Sequence, residues 1–392
     1  MDDEGATETK ATFHNHQNQV LKVLQALKEA SHHLQTNPAD SSSTSSIKAL
    51  LELEFVSESI LSSDSHLKTL SSHLSQLKNL ISSQENSKPS KHGIVSFLTN
   101  RVRAHEISRV ASLIESEIQA WIDRETIISL SKMLEEWSNS SRDEEGLLTQ
   151  LSQFRDRLAR GFDIDLQEML LKSRLLQGLE SLLCNSNVSK GVREMAACSI
   201  KELVLFNKDV FVGEVLVGET IKSLVSMESL CSLEVTKSLI KAIKSPLVDE
   251  LESFGGILKI VSTLDSVDLA TKIMALDCLM EMGYYGRKEA IEAMLNAGII
   301  KKLVHLQRSE FGKEEKSDDS FGGEEMKSLE ILSHPFANCV AKFAVQLEVG
   351  EGLRQREKRA FKQEILNRIR EASVSDAEAA TIIAEVLWGS SP

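Results

Sequence analysis

The side chains of this chain best suited to metal chemistry are its histidines, and their spacing does not form a ligand set. Among ten histidines the only close pairs are His14 with His16 and His32 with His33. A zinc site needs three or four convergent ligands, and neither pair has a cysteine nearby. We therefore interpret these histidines as incidental surface residues and predict no metal site.

The cysteines are odd in number and widely spaced along the chain. Several of them lie on the apolar faces of predicted helices. This pattern favours reduced, buried thiols in an intracellular protein over a disulfide framework or a zinc site. We expect a cytoplasmic location, a nuclear one, or both. The five residues are Cys184, Cys198, Cys231, Cys278 and Cys339.

Motifs for nucleophilic or phosphate chemistry are missing from the sequence. It contains neither Gly-x-Ser-x-Gly nor Gly-x-x-x-x-Gly-Lys-Ser/Thr. The adjacent glycines Gly255-Gly256 fit a turn between helices, and Gly322-Gly323 fit a flexible loop. The sequence therefore predicts a protein that is not an enzyme, with no catalytic residues and no cofactor.

The composition indicates an all-α chain that does not bind nucleic acid. Of its 392 residues 41% are hydrophobic and only 5% aromatic, and long alternating β-branched runs are absent. The net charge of −13 repels nucleic-acid phosphates. No run approaches the roughly 18 apolar residues that a membrane span requires, so we expect no membrane insertion.

One stretch of the chain is positively charged, although the chain as a whole is acidic. Between Leu353 and Arg370 there are seven lysines and arginines against Glu357 and Glu364. The simplest interpretation is a solvated helix face. A nuclear-import signal and a patch for an acidic partner stay open as alternatives.

A weak repeat of about forty residues between positions 191 and 310 indicates stacked helices. Its mark is a glycine followed by an apolar pair, and each copy follows a predicted helix. Such a unit cannot bury its apolar face alone, so it stacks on its neighbours. The copies are Gly255 before Ile260-Val261, Gly298 before Leu303-Val304, and the looser Gly218-Glu219 before Leu224-Val225.

The N-terminal part carries a short heptad seam. Its members are Leu67, Leu70, Leu74, Leu77 and Ile81. The seam is too short for a free-standing coiled coil, so we favour a helix within an intramolecular bundle. Self-assembly through this seam is the alternative.

Two further helices are predicted after the seam. A stripe from Ile107 to Trp121 indicates the first helix, and Asp123 is a plausible start for the second, which carries Ile127, Leu130 and Leu134.

Residues 289–304 resemble the armadillo repeat, in which a short helix and a glycine precede a second helix with a Leu-Val pair. The pattern of the long third helix recurs in 193–198 and 273–279. The resemblance covers roughly residues 165–310 and, more weakly, 326–388. It implies an armadillo-like α-solenoid, a fold that usually binds other macromolecules.

The segment from Ile114 to Trp121 resembles the helical domain that precedes the repeats in plant U-box armadillo proteins. The U-box itself would carry Cys-Pro-Ile and Asp-Pro-Val motifs between the two halves. Residues 139–175 contain no proline and no cysteine. The resemblance therefore implies at most an accessory or regulatory role in ubiquitin ligation.

Armadillo import receptors hold extended peptides with a tryptophan and an asparagine four residues apart on each third helix. Alignment places Cys198 and Glu202, Ser238 and Ala242, and Met274 and Cys278 at these positions. None is tryptophan or asparagine, so this mode of peptide capture is disfavoured.

Candidate binding residues lie on the expected concave face of the third helices. The charged ones could bind a partner or only solubilise the face. Two tyrosines end the last clear third helix, where they could contact a partner or pack against the next repeat. The candidates are Lys201, Glu202, Lys241, Asp277, Glu281, Tyr284 and Tyr285.

Together these patterns predict an N-terminal helical bundle followed by an armadillo-like α-solenoid. We expect a non-catalytic adaptor or scaffold that binds other proteins. The sequence identifies neither these partners nor the oligomeric state of the chain. The predicted regions are a disordered tail over 1–15, a helical bundle over 16–160, repeats over 161–310, a flexible loop over 311–325, and a divergent helical repeat or cap over 326–392.

Overall fold

The computed structural model of the protein describes residues 20–32, 35, 67–85, 94–137, 143–314 and 334–388. Every regular element in these ranges is a helix, which confirms the predicted all-α class. No helix within them combines the length and the apolar character that crossing a bilayer requires. The tail predicted over 1–15 and most of the loop predicted over 311–325 lie outside the described residues.

The described helices are numbered here in chain order. They are α1 (20–32), α2 (Lys68–Glu85), α3 (Ile94–Trp137), α4 (Glu144–Leu158), α5 (Ile164–Ser173), α6 (Leu175–Cys184), α7 (Lys190–Phe206), α8 (Lys208–Val217), α9 (Thr220–Met227), α10 (Leu230–Ile243), α11 (Ser245–Ser253), α12 (Gly256–Thr263), α13 (Leu269–Tyr285), α14 (Lys288–Asn296), α15 (Ile299–Glu314), α16 (Cys339–Val349), α17 (Gln355–Ala372) and α18 (Asp376–Trp388).

Contacts divide the chain into two compact units. The first contains Met1–Ser129 and Asp163–Ser173, and the second contains Leu130–Phe162 and Arg174–Pro392. The division falls within α3, and α4 belongs to the second unit together with the repeats. The boundaries predicted from sequence stay predictions.

The first unit has a core built around the heptad seam. Leu67, Leu70, Leu74 and Leu77 are buried in one cluster with apolar residues of α1 and α3. A seam covered inside its own chain matches the intramolecular interpretation. The side chain of Ile81 lies outside the described residues. The partners in the cluster are Val20, Leu24, Leu27, Ile107, Val110, Ala111, Ile114, Ile118 and Trp121.

The prediction that a new helix starts at Asp123 is wrong, because α3 runs through this position without a break. Asp123 is buried, and its Oδ1 accepts a hydrogen bond of 2.6 Å from Nε2 of Gln119, one turn earlier. Its carboxylate is therefore bonded inside a continuous helix instead of capping the first turn of a new one.

The second unit consists of stacked repeats of two shorter helices and a third helix. The helices α8, α9 and α10 form one complete repeat, and α11, α12 and α13 form the next. The third helices α7, α10, α13 and α16 pack side by side in one layer, with α4 against α7 at one edge and α18 against α16 at the other. We call α7, α10, α13 and α16 the third-helix layer.

Repeated N-caps set the period of this layer. The side chains of Ser189, Ser229 and Asp268 each accept a hydrogen bond from the backbone N–H three residues later, at the starts of α7, α10 and α13. These caps stand at intervals of forty and then thirty-nine residues. They therefore define which positions on the three helices are equivalent, and they do so more precisely than the weak sequence repeat does.

The marker glycines lie between the first and second helices of each repeat, as the sequence predicts. Gly255 and Gly298 have φ of 75° and 79°, a left-handed conformation that glycine adopts without strain. Gly218 has extended backbone and ends α8. The apolar pairs that follow are buried: Leu224 and Val225, Ile260 and Val261, Leu303 and Val304.

Candidate functional site

We call the solvent-facing side of α7, α10 and α13 the third-helix face. It carries two ion pairs between α10 and α13, which we call rungs. Lys237 Nζ on α10 lies 2.6 Å from Asp277 Oδ2 on α13. Lys241 Nζ lies 3.0 Å from Glu281 Oε1 between the same two helices. Because Lys241 follows Lys237 by one turn, the two ion pairs form consecutive rungs between α10 and α13.

Both ion pairs are partly exposed to solvent. The side chains of Lys237 and Asp277 are 25% and 40% exposed, and those of Lys241 and Glu281 are 53% and 22% exposed. Exposed ion pairs of this kind contribute about 0.2–1 kcal/mol to stability. A ligand that takes over one of these charges therefore costs the fold little.

Lys201 and Glu202 are more enclosed than the sequence suggested. Lys201 Nζ lies 3.1 Å from Glu202 Oε1, and the two side chains are 15% and 19% exposed. They are adjacent on α7 and pair with each other, whereas the rungs join two helices. Their charges are consequently less available than those of Lys241 and Asp277.

The two tyrosines lie at the end of α13, where the chain segment after α16 returns. The carbonyl oxygen of Tyr284 accepts hydrogen bonds from the backbone N–H groups of Glu351 (2.8 Å) and Gly352 (3.2 Å). The Tyr284 and Tyr285 rings meet edge to face with centroids 4.7 Å apart, and Lys244 Nζ lies 5.5 Å from the Tyr285 centroid. Their contacts fit the packing role left open by the sequence.

The N-caps correct one part of the import-receptor alignment. Counting from Ser189, Ser229 and Asp268, the residues on α13 equivalent to Cys198 and Glu202 are Asp277 and Glu281. The sequence alignment placed Met274 and Cys278 there, three residues too early, and Cys278 is fully buried. The corrected positions are not tryptophan or asparagine either, so the conclusion on that mode of capture is unchanged.

Cations of the basic stretch after Leu353 cap neighbouring helices. Lys358 Nζ donates hydrogen bonds to the carbonyl oxygens of Glu348 (2.8 Å) and Gly350 (2.7 Å) at the end of α16. Arg368 Nη1 donates to the carbonyl of Leu295 (2.6 Å) at the end of α14. Positive charge at a helix C-terminus is stabilising, so these two residues have a structural role.

The cysteines divide into three environments. Cys278 and Cys339 are buried, and burial raises the pKa of each thiol to about 12. Cys184 is exposed, so the expectation of buried thiols is wrong for it. Cys198 and Cys231 are half-buried, and their sulfurs are 3.5 Å apart. In the described ranges no three metal-binding side chains cluster.

Stacked three-helix repeats with a shared layer of third helices define the second unit as an armadillo-like α-solenoid. No protein-family model matches the chain. No curated protein matches it either.

Solved structures do match. A designed armadillo repeat protein is 17% identical, covers 66% of this chain and 99% of its own, and has a TM-score of 0.41. A second design, solved with the peptide (KR)4, is 20% identical over 66% of this chain and 98% of its own, with a TM-score of 0.39. An engineered protein is 15% identical over 94% of this chain and 98% of its own, with a TM-score of 0.41.

Proposed function

We propose that this protein is a non-catalytic scaffold that binds other proteins through its third-helix face. The observation that carries the proposal is the pair of partly exposed rungs, Lys237–Asp277 and Lys241–Glu281. They place a row of positive charge on α10 beside a row of negative charge on α13. A surface with such a charge pattern favours selection of a partner with the complementary pattern.

Two half-buried methionines of the third helices also support a protein partner. Met195 on α7 and Met274 on α13 occupy equivalent positions six residues after their N-caps, and both are half-buried. Methionine is flexible and polarisable, so it adapts to different apolar surfaces. Adaptable apolar side chains of this kind are typical of surfaces that bind peptides or proteins. The acidic net charge disfavours nucleic acid as the alternative.

A charge-swap experiment tests the proposal without removing an ion pair. The variant Lys241→Glu with Glu281→Lys keeps the pair and the net charge, but it reverses the field that a partner meets. The matched control is Lys288→Glu with Glu292→Lys on α14, where Lys288 Nζ lies 3.6 Å from Glu292 Oε1. Proximity labelling in expressing cells then compares the unmodified chain with both variants.

We expect the swap at Lys241 and Glu281 to lose at least one partner that the unmodified chain and the Lys288/Glu292 control both keep. Thermal unfolding of each purified chain checks that the fold survives. Identical partner lists for the two swaps would reject the third-helix face as the binding surface. They would move the search to the other faces of the solenoid or to the first unit.

The finer kinship with plant U-box armadillo proteins is a proposal that rests on the sequence resemblance alone. If it is correct, the protein acts as an accessory in ubiquitin transfer. Its test is a reconstituted reaction in which chain formation by a conjugating enzyme and a separate ligase is measured with and without this protein. An unchanged rate rejects the accessory role and leaves the scaffold proposal untouched.

A further inference from the structure

The second unit holds two cysteines whose arrangement differs from that of the other three. Cys198 is on α7 and Cys231 is on α10, and these helices pack directly against each other in the third-helix layer. Their sulfurs are 3.5 Å apart, in hydrogen-bonding contact. A disulfide bond is about 2.05 Å long, so the two sulfurs need approach by only about 1.5 Å.

Both thiols are partly open to solvent. Each is half-buried, whereas Cys278 and Cys339 are enclosed and donate to backbone carbonyls, of Leu233 at 3.2 Å and of Leu303 at 3.3 Å respectively. The pair is therefore more accessible to small oxidants than the two buried thiols are. Cys184 is also exposed, but its sulfur contacts Ser223 Oγ at 3.1 Å and no other thiol.

The balance of charge differs around the two sulfurs. Arg155 of α4, Lys201 of α7 and the opposing Glu234 of α10 act on Cys198, whereas Glu194 and Glu234 act on Cys231. The Arg155 side chain is anchored over α7 by a contact of 3.2 Å from Nη1 to the sulfur of Met195. Its Nε is buried and has no hydrogen-bond partner in the described part of the chain.

This asymmetry assigns different chemistry to the two thiols. The hydrogen bond from Cys231, opposed by burial and helped by Arg155 and Lys201, lowers the pKa of Cys198 to about 7. The same contact, with burial and the nearby carboxylates, raises the pKa of Cys231. Cys231 also occupies the second position of α10, so the Cys198 sulfur lies near the positive end of that helix.

We propose that Cys198 and Cys231 form a reversible intramolecular disulfide when the protein meets a hydroperoxide, with Cys198 as the reacting thiol and Cys231 as the resolving thiol. The inference does not depend on the scaffold proposal. The disulfide would link the consecutive third helices α7 and α10 covalently, near Lys201.

The chemistry balances in two steps. The Cys198 thiolate attacks one oxygen of hydrogen peroxide, the O–O bond breaks, and a sulfenic acid forms while hydroxide leaves and takes up a proton to become water. The Cys231 sulfur then attacks the sulfenic sulfur, the S–O bond breaks, and its thiol proton leaves with the oxygen as a second water. The two sulfurs lose two electrons to the peroxide, and a dithiol reductant returns them.

The sequence allows a direct readout, because trypsin places each cysteine of the pair on its own peptide. Cys198 lies on residues 194–201, Cys231 on 223–237, and Cys184 on 175–190. The reduced full-length protein is treated with an equimolar amount of hydrogen peroxide and digested without reductant. We expect a linked species of 194–201 and 223–237 that disappears when a dithiol is added.

Three variants separate the roles. Cys184→Ser should keep the linked species. Cys231→Ser should accumulate a sulfenic acid at Cys198 that the reagent dimedone traps. Cys198→Ser should leave Cys231 reduced, with peroxide consumption slowed by about tenfold or more.

Either of two results would overturn the proposal. The first is that peptides 194–201 and 223–237 of the unmodified chain are not linked after oxidation. The products would then be a sulfinic acid or disulfides between the Cys184 residues of two chains. The second is a Cys198→Ser variant that consumes peroxide at the unmodified rate. The readout on the unmodified chain needs no substitution, so a poorly folded variant leaves the test intact.

Discussion

Lys237 on α10 and Asp277 on α13 are separated by forty residues in sequence and by 2.6 Å between Nζ and Oδ2 in the fold. Lys241 and Glu281 repeat this relationship one turn further along the same helices. The helix register that creates the rungs is set by buried contacts between α10 and α13, such as the Cys278 thiol bonded to the Leu233 carbonyl. The rungs are thus a consequence of packing, and their charges remain available on the surface.

We predict that the Lys237–Asp277 rung contributes little to stability. A double-mutant cycle with Lys237→Ala and Asp277→Ala should give a coupling energy of about 1 kcal/mol or less, because the two side chains are 25% and 40% exposed. Urea denaturation measures the four chains. A coupling of about 3 kcal/mol would mark the rung as a structural element and weaken its assignment to a binding surface.

A second prediction concerns the ion pair that fixes the C-terminal helix. Arg308 donates to both carboxylate oxygens of Glu378, at 2.7 Å and 2.9 Å. This bonding lowers the pKa of Glu378. Because the folded-state pKa is depressed, its stabilisation is present above the unfolded pKa of about 4.3 and is lost as the pH falls through the folded-state value.

We therefore expect Glu378→Gln to lower the free energy of unfolding by about 1 kcal/mol at neutral pH, with the difference shrinking below about pH 4. Chemical denaturation across pH 3.5–7 measures it. The control Glu292→Gln removes an exposed i,i+4 pair with Lys288 and should change stability by less than about 0.5 kcal/mol. A difference for Glu378→Gln that grows as the pH falls would be inconsistent with the depressed pKa.

The capping box of α10 gives a third prediction. Ser229 Oγ accepts from the Ser232 N–H at 3.1 Å, and Ser232 Oγ accepts from the Ser229 N–H at 3.0 Å. Both residues are buried, so Ser229→Ala leaves a backbone donor without a partner and should cost about 1–2 kcal/mol. Ser238→Ala on the same helix removes only a bond to the Glu234 carbonyl and should cost under about 0.5 kcal/mol. Equal thermal shifts for the two would argue against the cap.

Gly352 provides a fourth prediction. A Cβ at this position would lie 2.1 Å from the carbonyl oxygen of Gly286, which is backbone at the end of α13 and cannot rotate away. Gly352→Ala should therefore lower stability by about 2 kcal/mol or more. In α8, Gly213 has no atom within 4 Å of such a Cβ, so Gly213→Ala should stabilise the protein by about 0.5–1 kcal/mol. Melting temperatures that move in the same direction would refute the close approach.

The repeat could be predicted from sequence because its signals are local. Gly255 and Gly298 mark left-handed turns that other residues adopt only with strain, and the buried pairs that follow them keep a constant offset. The leucine seam from Leu67 to Leu77 is local in the same way. For these repeats and this seam, the presence of a helix and the side that it buries followed from spacing alone.

The contacts between helices could not be predicted, because they depend on the register of elements that are distant in sequence. The sequence named Asp277 but missed its partner Lys237, although Lys237 precedes the candidate Lys241 by one turn on the same face. Cys198 and Cys231 likewise meet only through the packing of α7 on α10. The prediction of a helix start at Asp123 was wrong. A capping pattern in the sequence does not reveal that the Asp123 carboxylate accepts a hydrogen bond from Gln119 within the same helix.

Lysine-directed cross-linking to a captured partner, read by mass spectrometry, tests the central claim most directly. The third-helix face carries Lys201, Lys237 and Lys241, whereas Lys222, Lys259 and Lys288 lie on first and second helices of the same unit. The scaffold account predicts partner cross-links at the first set, and their loss in the chain with Lys241→Glu and Glu281→Lys. Cross-links confined to the second set, unchanged by the swap, would contradict it.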